Sequence, residues 1–517
     1  WLKALGSTTG LGLVLTRSLQ APLPAMASVA EAREAQLPLA RGGGPPRPAH
    51  KEEGGMADLL GRPYADSAEF YLDAVVVSLL GGVVGLASVP YMLVVEKVSG
   101  WWLQKLGGED FMETAASLDF MAGSPWWILV CWLGCTAVGV MKALIGLDAY
   151  PSFITELKHQ SVDPWQSAKV CFTCMASLSA GGILGPEAGL GGAGGAAGYV
   201  ACLLVSRSRL VSQDPERLDE RRRAYILSGI AAAFGSILPA PFIAVLLVGE
   251  MASLGTERDG DEEFMAGRKL PNKVMVFLVP AATFAFAARY IFEELPSSPF
   301  PAAMLPYDKW SPLIAIALGL LGAVAGLIFL LINAITKGIL GGLGSRLESR
   351  FGAKARIIIL PSLAGALIGV ITWCFPLAVG SGRDQMKAAI RHSDELSTGV
   401  LIGTALAKAI GYWLSANSGL VGGVFFPAMF LGMLVGDICN RLFGVKKGQA
   451  VLIMLGAVPG SFVTAPLTML SLPVGMFVTG PLHTIGIFMG ITVSNTALVG
   501  TGLLLRMAQR AAARQRG

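Results

Sequence analysis

A single carboxylate stands out. Glu187 lies in "GGILGPEAGLGGAGGAAG", residues 181–198, among nine glycines. No other Asp, Glu, Lys or Arg occurs between Val170 and Val205. A carboxylate in apolar surroundings is costly and marks a functional position by default. Pairing with a buried cation would be the bland explanation, but few cations lie within apolar segments, chiefly Lys142, Lys169 and Lys408. The glycines and the adjacent Pro186 instead mark a break in the helix. A helix that starts inside hydrocarbon leaves its first N–H groups unpaired, at several kcal/mol each. Those donors and the positive end of the helix dipole suit an anion. Glycine lets the backbone approach the ion, and proline in a first turn needs no N–H partner. Several such starts facing one point would hold a small anion without lysine or arginine, loosely enough to release it. A carboxylate is itself an anion, so Glu187 can occupy that place; on protonation it loses its charge and can swing aside.

The elements that must position this chemistry recur. The first half of the chain has the break around Glu187 and then "AAAFGSILPAPFIAVLL" at 231–247. The second half has "SGLVGGVFFPAMFLGMLVG" at 418–436 and then "LGAVPGSFVTAPLTMLSL" at 455–472. Each half thus pairs a Gly-rich helix start with a later Ala-Pro start, Ala240-Pro241 and Ala465-Pro466. Gly/Pro-interrupted hydrophobic segments in corresponding positions point to a site where broken helices meet at mid-membrane. Close helix packing alone explains scattered small residues, but not the same order of breaks in both halves.

Composition agrees. The chain is 15% charged, against about a quarter in soluble domains, and its mean hydropathy is +0.60. Ser311–Thr336, Ile357–Gly380 and Gly448–Leu505 contain no Asp, Glu, Lys or Arg. A spanning helix needs roughly 20 apolar residues. Candidate spans fall near 72–95, 126–146, 166–182, 190–206, 224–249 and 273–293, then 311–336, 357–379, 397–416, 424–442, 449–471 and 474–505. The reading is an all-α polytopic membrane protein, with residues 56–293 as first repeat and 294–505 as second. Gly255–Lys273 and Leu295–Pro312 read as loops. Residues 1–55, rich in Ala, Gly, Pro, Leu and Arg, read as a disordered segment and a candidate transit peptide; a floppy cytosolic tail fits equally well. An organellar membrane, a chloroplast one included, or another endomembrane suits this start. Basic residues gather at Arg207–Arg223, Arg346–Arg356, Lys446-Lys447 and the tail 506–517, which places the C-terminus on the cytoplasmic or equivalent side. Seven cysteines form no disulfide framework, and Cys171-x-x-Cys174 lacks partners for a metal. No metal or cofactor is expected.

These residues resemble the CLC family of chloride channels and anion/proton exchangers. Gly185-Pro186-Glu187-Ala188-Gly189 is similar to the family's G-[KR]-E-G-P and puts Glu187 at the gating glutamate. Gly423-Val424-Phe425-Phe426-Pro427 matches G-x-F-x-P, where the family binds chloride through main-chain N–H groups, here those of Val424 and Phe425. Ala240-Pro241 and Ala465-Pro466-Leu467-Thr468 resemble the two "APL" helix starts, and Ala407–Pro427 is similar throughout. The resemblance covers roughly residues 70–505 and implies an inverted repeat whose broken helices meet at mid-membrane, a homodimer with a pore in each subunit, and chloride or another small anion as transported ligand.

Several positions depart from the pattern. Asp148-Ala149-Tyr150-Pro151 puts aspartate where G-S-G-x-P has serine. The family's glutamate pair after the first "APL" reads Glu250-Met251: the resemblance keeps Glu250, with Glu187, as a candidate gating or proton residue, while methionine stands at the position aligned with the proton-transfer glutamate. The central pore tyrosine has no counterpart, since Tyr412 is the final tyrosine. Pro186 removes the basic charge beside the gate. With Met251 and the missing tyrosine, the expectation is channel-type conduction gated by Glu187, with anion/proton exchange as the alternative. A transporter of an organic solute, which needs a larger polar cavity, and a non-transporting scaffold are the other classes. The chain ends about a dozen residues past Leu505, so nucleotide binding through paired CBS domains is not expected. Hydrolytic triads, phosphate loops and nucleic-acid signatures are missing, which argues against an enzyme.

Overall fold

The structure, a computed structural model, describes residues 67–108, 111–148, 153–253, 274–292, 310–463, 465–477 and 484–498. The segment 1–55, the tail 506–517, Ala149–Pro151 and most of the two long loops lie outside the described residues. Among the described residues the chain is helical and the order of helices repeats. The first half runs α1 (Ser67–Gly107), α2 (Trp126–Ile145), α3 (Phe153–His159), α4 (Pro164–Ser179), α5 (Glu187–Val205), α6 (Pro215–Ile237), α7 (Pro241–Ser253) and α8 (Val274–Arg289). The second runs α9 (Ser311–Phe351), α10 (Ala353–Cys374), α11 (Arg383–His392), α12 (Thr398–Asn417), α13 (Phe425–Phe443), α14 (Lys447–Gly460), α15 (Pro466–Met476) and α16 (Thr484–Leu498). Each half opens on a helix of 41 residues, about twice what a straight crossing needs. Among the described residues seven helices are long and apolar enough to cross a bilayer: α1, α2, α5, α9, α10, α12 and α13.

Two expected spans are each two helices. The stretch near 224–249 breaks at Leu238–Ala240, and that near 449–471 breaks after Gly460. Both restart on the proline of an Ala-Pro pair, Pro241 and Pro466. Proline has no N–H and collides with the preceding turn, so it starts a helix and cannot sit in the middle of one without cost. The two restarts pack side by side and antiparallel. Glu250, at the end of α7, accepts from the N–H groups of Leu467 and Thr468 at 2.8 Å each and from the Thr468 hydroxyl at 2.6 Å, capping α15. At the other end, a Cβ on Gly475 of α15 would meet Ile243 and Ala240 at the start of α7.

Charge placement gives the halves their orientation. The α10 helix starts beside Lys354 and Arg356 and runs 22 residues to Cys374, roughly 33 Å, so residues 376–397 lie at the opposite face. The α9 helix ends at Arg346 and Arg350, whereas the start of α1 is tied to the basic loop before α6. The two 41-residue helices therefore run in opposite directions, as an inverted repeat requires.

Two basic groups differ from the sequence reading. Lys446 and Lys447 follow α13 and sit with residues 393–397, away from the other basic loops: Lys447 Nζ pairs with Asp394 at 2.8 Å, and Arg441 donates to the carbonyls of Ser393 and Leu396. Two lysines are outnumbered by the arginines of the other basic loops, so they do not set the topology. Arg221 is not a surface charge either. It is buried between α6 and α1, with Nε 3.0 Å from Asp73 and a guanidinium nitrogen 3.3 Å from Glu69. The Tyr225 hydroxyl donates to the other Asp73 oxygen at 2.7 Å.

Candidate functional site

The two Gly-rich breaks interlock. After α4 the chain turns at Gly181, φ +90°, and after α12 it turns at Gly419, φ +94°. These positive φ values are where glycine is needed. The Ser177 hydroxyl accepts from Val421 N at 3.2 Å, while the Ser415 hydroxyl accepts from Ile183 N at 3.1 Å. Gly185 and Gly423 exchange both main-chain hydrogen bonds, at 2.9 and 2.7 Å. One constant offset in residue number relates Ser177 to Ser415, Gly181 to Gly419, Ile183 to Val421 and Gly185 to Gly423. The breaks are thus related by a local two-fold, and each supplies the partners the other lacks.

Glu187 begins α5 at this crossing and is fully buried. Its Oε1 accepts from Phe426 N in the first turn of α13 at 2.9 Å. The N–H groups of Phe425 and of Glu187 itself are also directed at the carboxylate. Neither buried lysine neutralises it. Lys142 donates to Gly419 O, and Lys408 donates to the carbonyls of Ala378, Val379 and Gly380. A carboxylate held by main-chain donors at a helix start occupies the place a small anion would take.

The structure brings Gly185, Pro186, Glu187, Ala188, Gly423, Val424, Phe425 and Phe426 to this one crossing. Val424 serves as the N-cap of α13, so the engaged donors are those of Phe425 and Phe426, one residue later than the pair read from the sequence. Glu250 is placed elsewhere, on α7 against the start of α15. Met251 is buried. Asp148 is exposed where α2 ends, while the three residues after it are not described. Tyr412 is buried and stacks on Phe329, with ring centroids 5.6 Å apart.

Sequence reasoning missed the two serine props. Their signal is present, since both breaks read Ser-x-x-x-Gly-x-(Ile or Val)-x-Gly. Glu156 of α3 was also missed: it is half-buried, and its Oε2 lies 3.7 Å from where a Cβ on Gly192 of α5 would stand. The glycines at the crossing make a sharp prediction. A Cβ on Gly423 would overlap Oε2 of Glu187. Gly423→Ala is expected to drive the carboxylate off the α13 amides while the protein still folds. The check is a crystal or cryo-electron structure of the variant; a carboxylate still bonded to Phe426 N would refute it.

The profile of the family described as voltage gated chloride channel matches residues 126–498. The chain belongs to that family. Among curated relatives it is 25% identical over 309 residues to the H(+)/Cl(-) exchange transporter ClcA of Yersinia pestis, a match covering 57% of this chain and 57% of that protein. It is also 25% identical over 278 residues to the Arabidopsis thaliana chloride channel protein CLC-e, covering 53% of this chain and 36% of the relative. The chain therefore spans little more than half the length of ClcA and about a third of CLC-e. Among solved structures, a slow cyanobacterial Cl−/H+ antiporter superposes with a TM-score of 0.63 at 18% identity, covering 86% of this chain and 99% of that one. A CLC-type fluoride/proton antiporter gives 0.55 at 16%, covering 83% and 97%. At these identities the likeness establishes the CLC fold: an all-α, multi-pass membrane architecture of two inverted halves.

Proposed function

We propose that this CLC-family chain moves a small inorganic anion, chloride first, across a bilayer in exchange for protons, with Glu187 as both gate and proton carrier. The observation that carries the reading is the seat of the Glu187 carboxylate on the α13 amides. Anion occupancy and the ionised carboxylate compete for the same donors, so an incoming anion favours proton uptake by Glu187 and the reverse. That competition is the minimum a coupled exchanger needs. Proteins named or titled as proton-coupled exchangers recur among the similar ones, which supports exchange over the channel-type conduction expected from sequence.

Channel-type conduction stays as the second reading because Met251, where the family has its proton-transfer glutamate, is buried and cannot carry a proton. Of the buried carboxylates on that side, Glu69 and Asp73 are paired with Arg221. Glu250 is tied up as the cap of α15. Glu156 faces Gly192, five residues along α5 from Glu187, or about 7.5 Å of helix rise, and α5 continues toward the basic loop. We assign Glu156 to the inner half of the proton route. We further assign residues 56–293 and 294–505 to the two repeats, a homodimer with one pore per subunit, and transport rather than enzymatic chemistry.

Proteoliposomes loaded with chloride test the reading. A chloride gradient alone is expected to drive protons uphill, recorded with a chloride electrode and a pH electrode together. Chloride efflux with no proton movement would establish the channel reading; no chloride efflux would remove both.

A further inference from the structure

A cavity of about 60 Å³ lies against Pro186, the residue before Glu187. Its wall includes Glu96 and Trp102 of α1 on one side, and Gly380, Ser381 and Arg383 at the start of α11 on the other. These residues lie at the face opposite the basic loops, at the far end of α10. The space holds several water-sized species, enough for a small inorganic ion with part of its hydration shell.

The chemistry of the wall favours an anion. Lys408 is buried and draws in three successive carbonyls, those of Ala378, Val379 and Gly380, at 3.2, 3.3 and 2.8 Å. In a planar trans peptide the N–H points opposite to the preceding C=O. The N–H groups of Gly380 and Ser381 are thereby turned away from Lys408, and both residues line the cavity. Successive outward amides of this kind make an anion-binding concavity. Gly380 and Gly382, at φ +61° and +101°, permit the turn. Arg383 adds a guanidinium on the same wall, 3.5 Å from Glu96 and partly exposed. Asp384 also reaches the lining but is exposed to solvent, where its charge is screened.

We propose that this cavity is a waiting site for the transported anion. The anion rests on the Gly380 and Ser381 amides and on Arg383 before it reaches Glu187, and Glu96 holds Arg383 when the site is empty. Arg383 thus supplies, from the second half of the chain, the positive charge that Pro186 withholds in the first. The inference rests on the anion-transport reading.

The initial rate of chloride flux is measured against chloride concentration in proteoliposomes. Arg383→Gln is expected to raise the half-saturating concentration by about fivefold or more, the scale of losing one charge-assisted contact. Arg383→Lys restores part of the loss, and Glu96→Gln lowers the value below wild type. Lys387→Gln removes an exposed charge on the same helix outside the cavity and leaves the value unchanged. An unaltered half-saturation in Arg383→Gln, or an equal shift in Lys387→Gln, overturns the waiting site while anion transport stands. Wild type without chloride flux would instead remove the transport reading. In that case bromide-soaked crystals decide on the cavity: anomalous density beside Arg383 and Ser381 sustains the site, and none there overturns it.

Discussion

Glu187→Gln is expected to abolish coupled proton movement while chloride still flows. The side chain keeps its length, and its carbonyl oxygen can still accept from Phe426 N, so the crossing of α5 and α13 is preserved. What the variant cannot do is carry a proton on and off. Without a negative charge it holds the α13 amides less strongly than the carboxylate, so an anion displaces it more easily. Proton flux should fall by about 10²-fold or more, the usual contribution of a positioned proton carrier. Chloride flux should lose its dependence on pH, because the competing negative charge no longer appears as pH rises. The paired-electrode assay reads both quantities in one vesicle preparation. Proton coupling and pH response equal to wild type would take Glu187 out of the mechanism.

The second large effect is on stability. Arg221→Met is expected to destabilise the protein by about 3–5 kcal/mol, the cost of breaking a buried ion pair by removing one partner. Glu69 and Asp73 are both buried at the start of α1, and without Arg221 their like charges stand one turn apart on that helix with no cation beside them. The Tyr225 hydroxyl satisfies one Asp73 oxygen and the Ser212 N–H one oxygen of Glu69, but neither carries positive charge. Thermal unfolding in detergent, followed by tryptophan fluorescence and size exclusion, measures the loss. Adding Glu69→Gln and Asp73→Asn should recover most of it, since replacing all charges of a buried cluster is far milder than orphaning some. A single variant within about 1 kcal/mol of wild type would show that water reaches these carboxylates.

Much of this was legible in the chain. Lone charge in a glycine-rich run, Ala-Pro restarts and charge-free stretches are local signals, and they located the breaks, Glu187 and the membrane class. The sequence was less informative where the answer depends on which residues meet. Arg221 reads as one more arginine of a basic loop until α1 brings Glu69 and Asp73 beneath it. Lys447 reads as one of the basic set until the fold places it beside Asp394, fifty-three residues earlier, away from the other basic loops. The donors for Glu187 shift from Val424 to Phe426 because the cap residue itself is not yet helical. Pro241 and Pro466 were seen, yet the spans around them were drawn as single helices, since hydropathy does not register a break that stays within hydrocarbon.

The serine props also set an order of events during synthesis. The amides of Ile183 and Gly185 receive their partners only from Ser415 and Gly423, made more than two hundred residues later. Until the ribosome has delivered the second break, the first waits in the bilayer with donors unanswered and its acid unseated. The crossing that seats Glu187 therefore needs both halves of the chain, and a chain ending before residue 415 lacks the partners of Ile183 and Gly185.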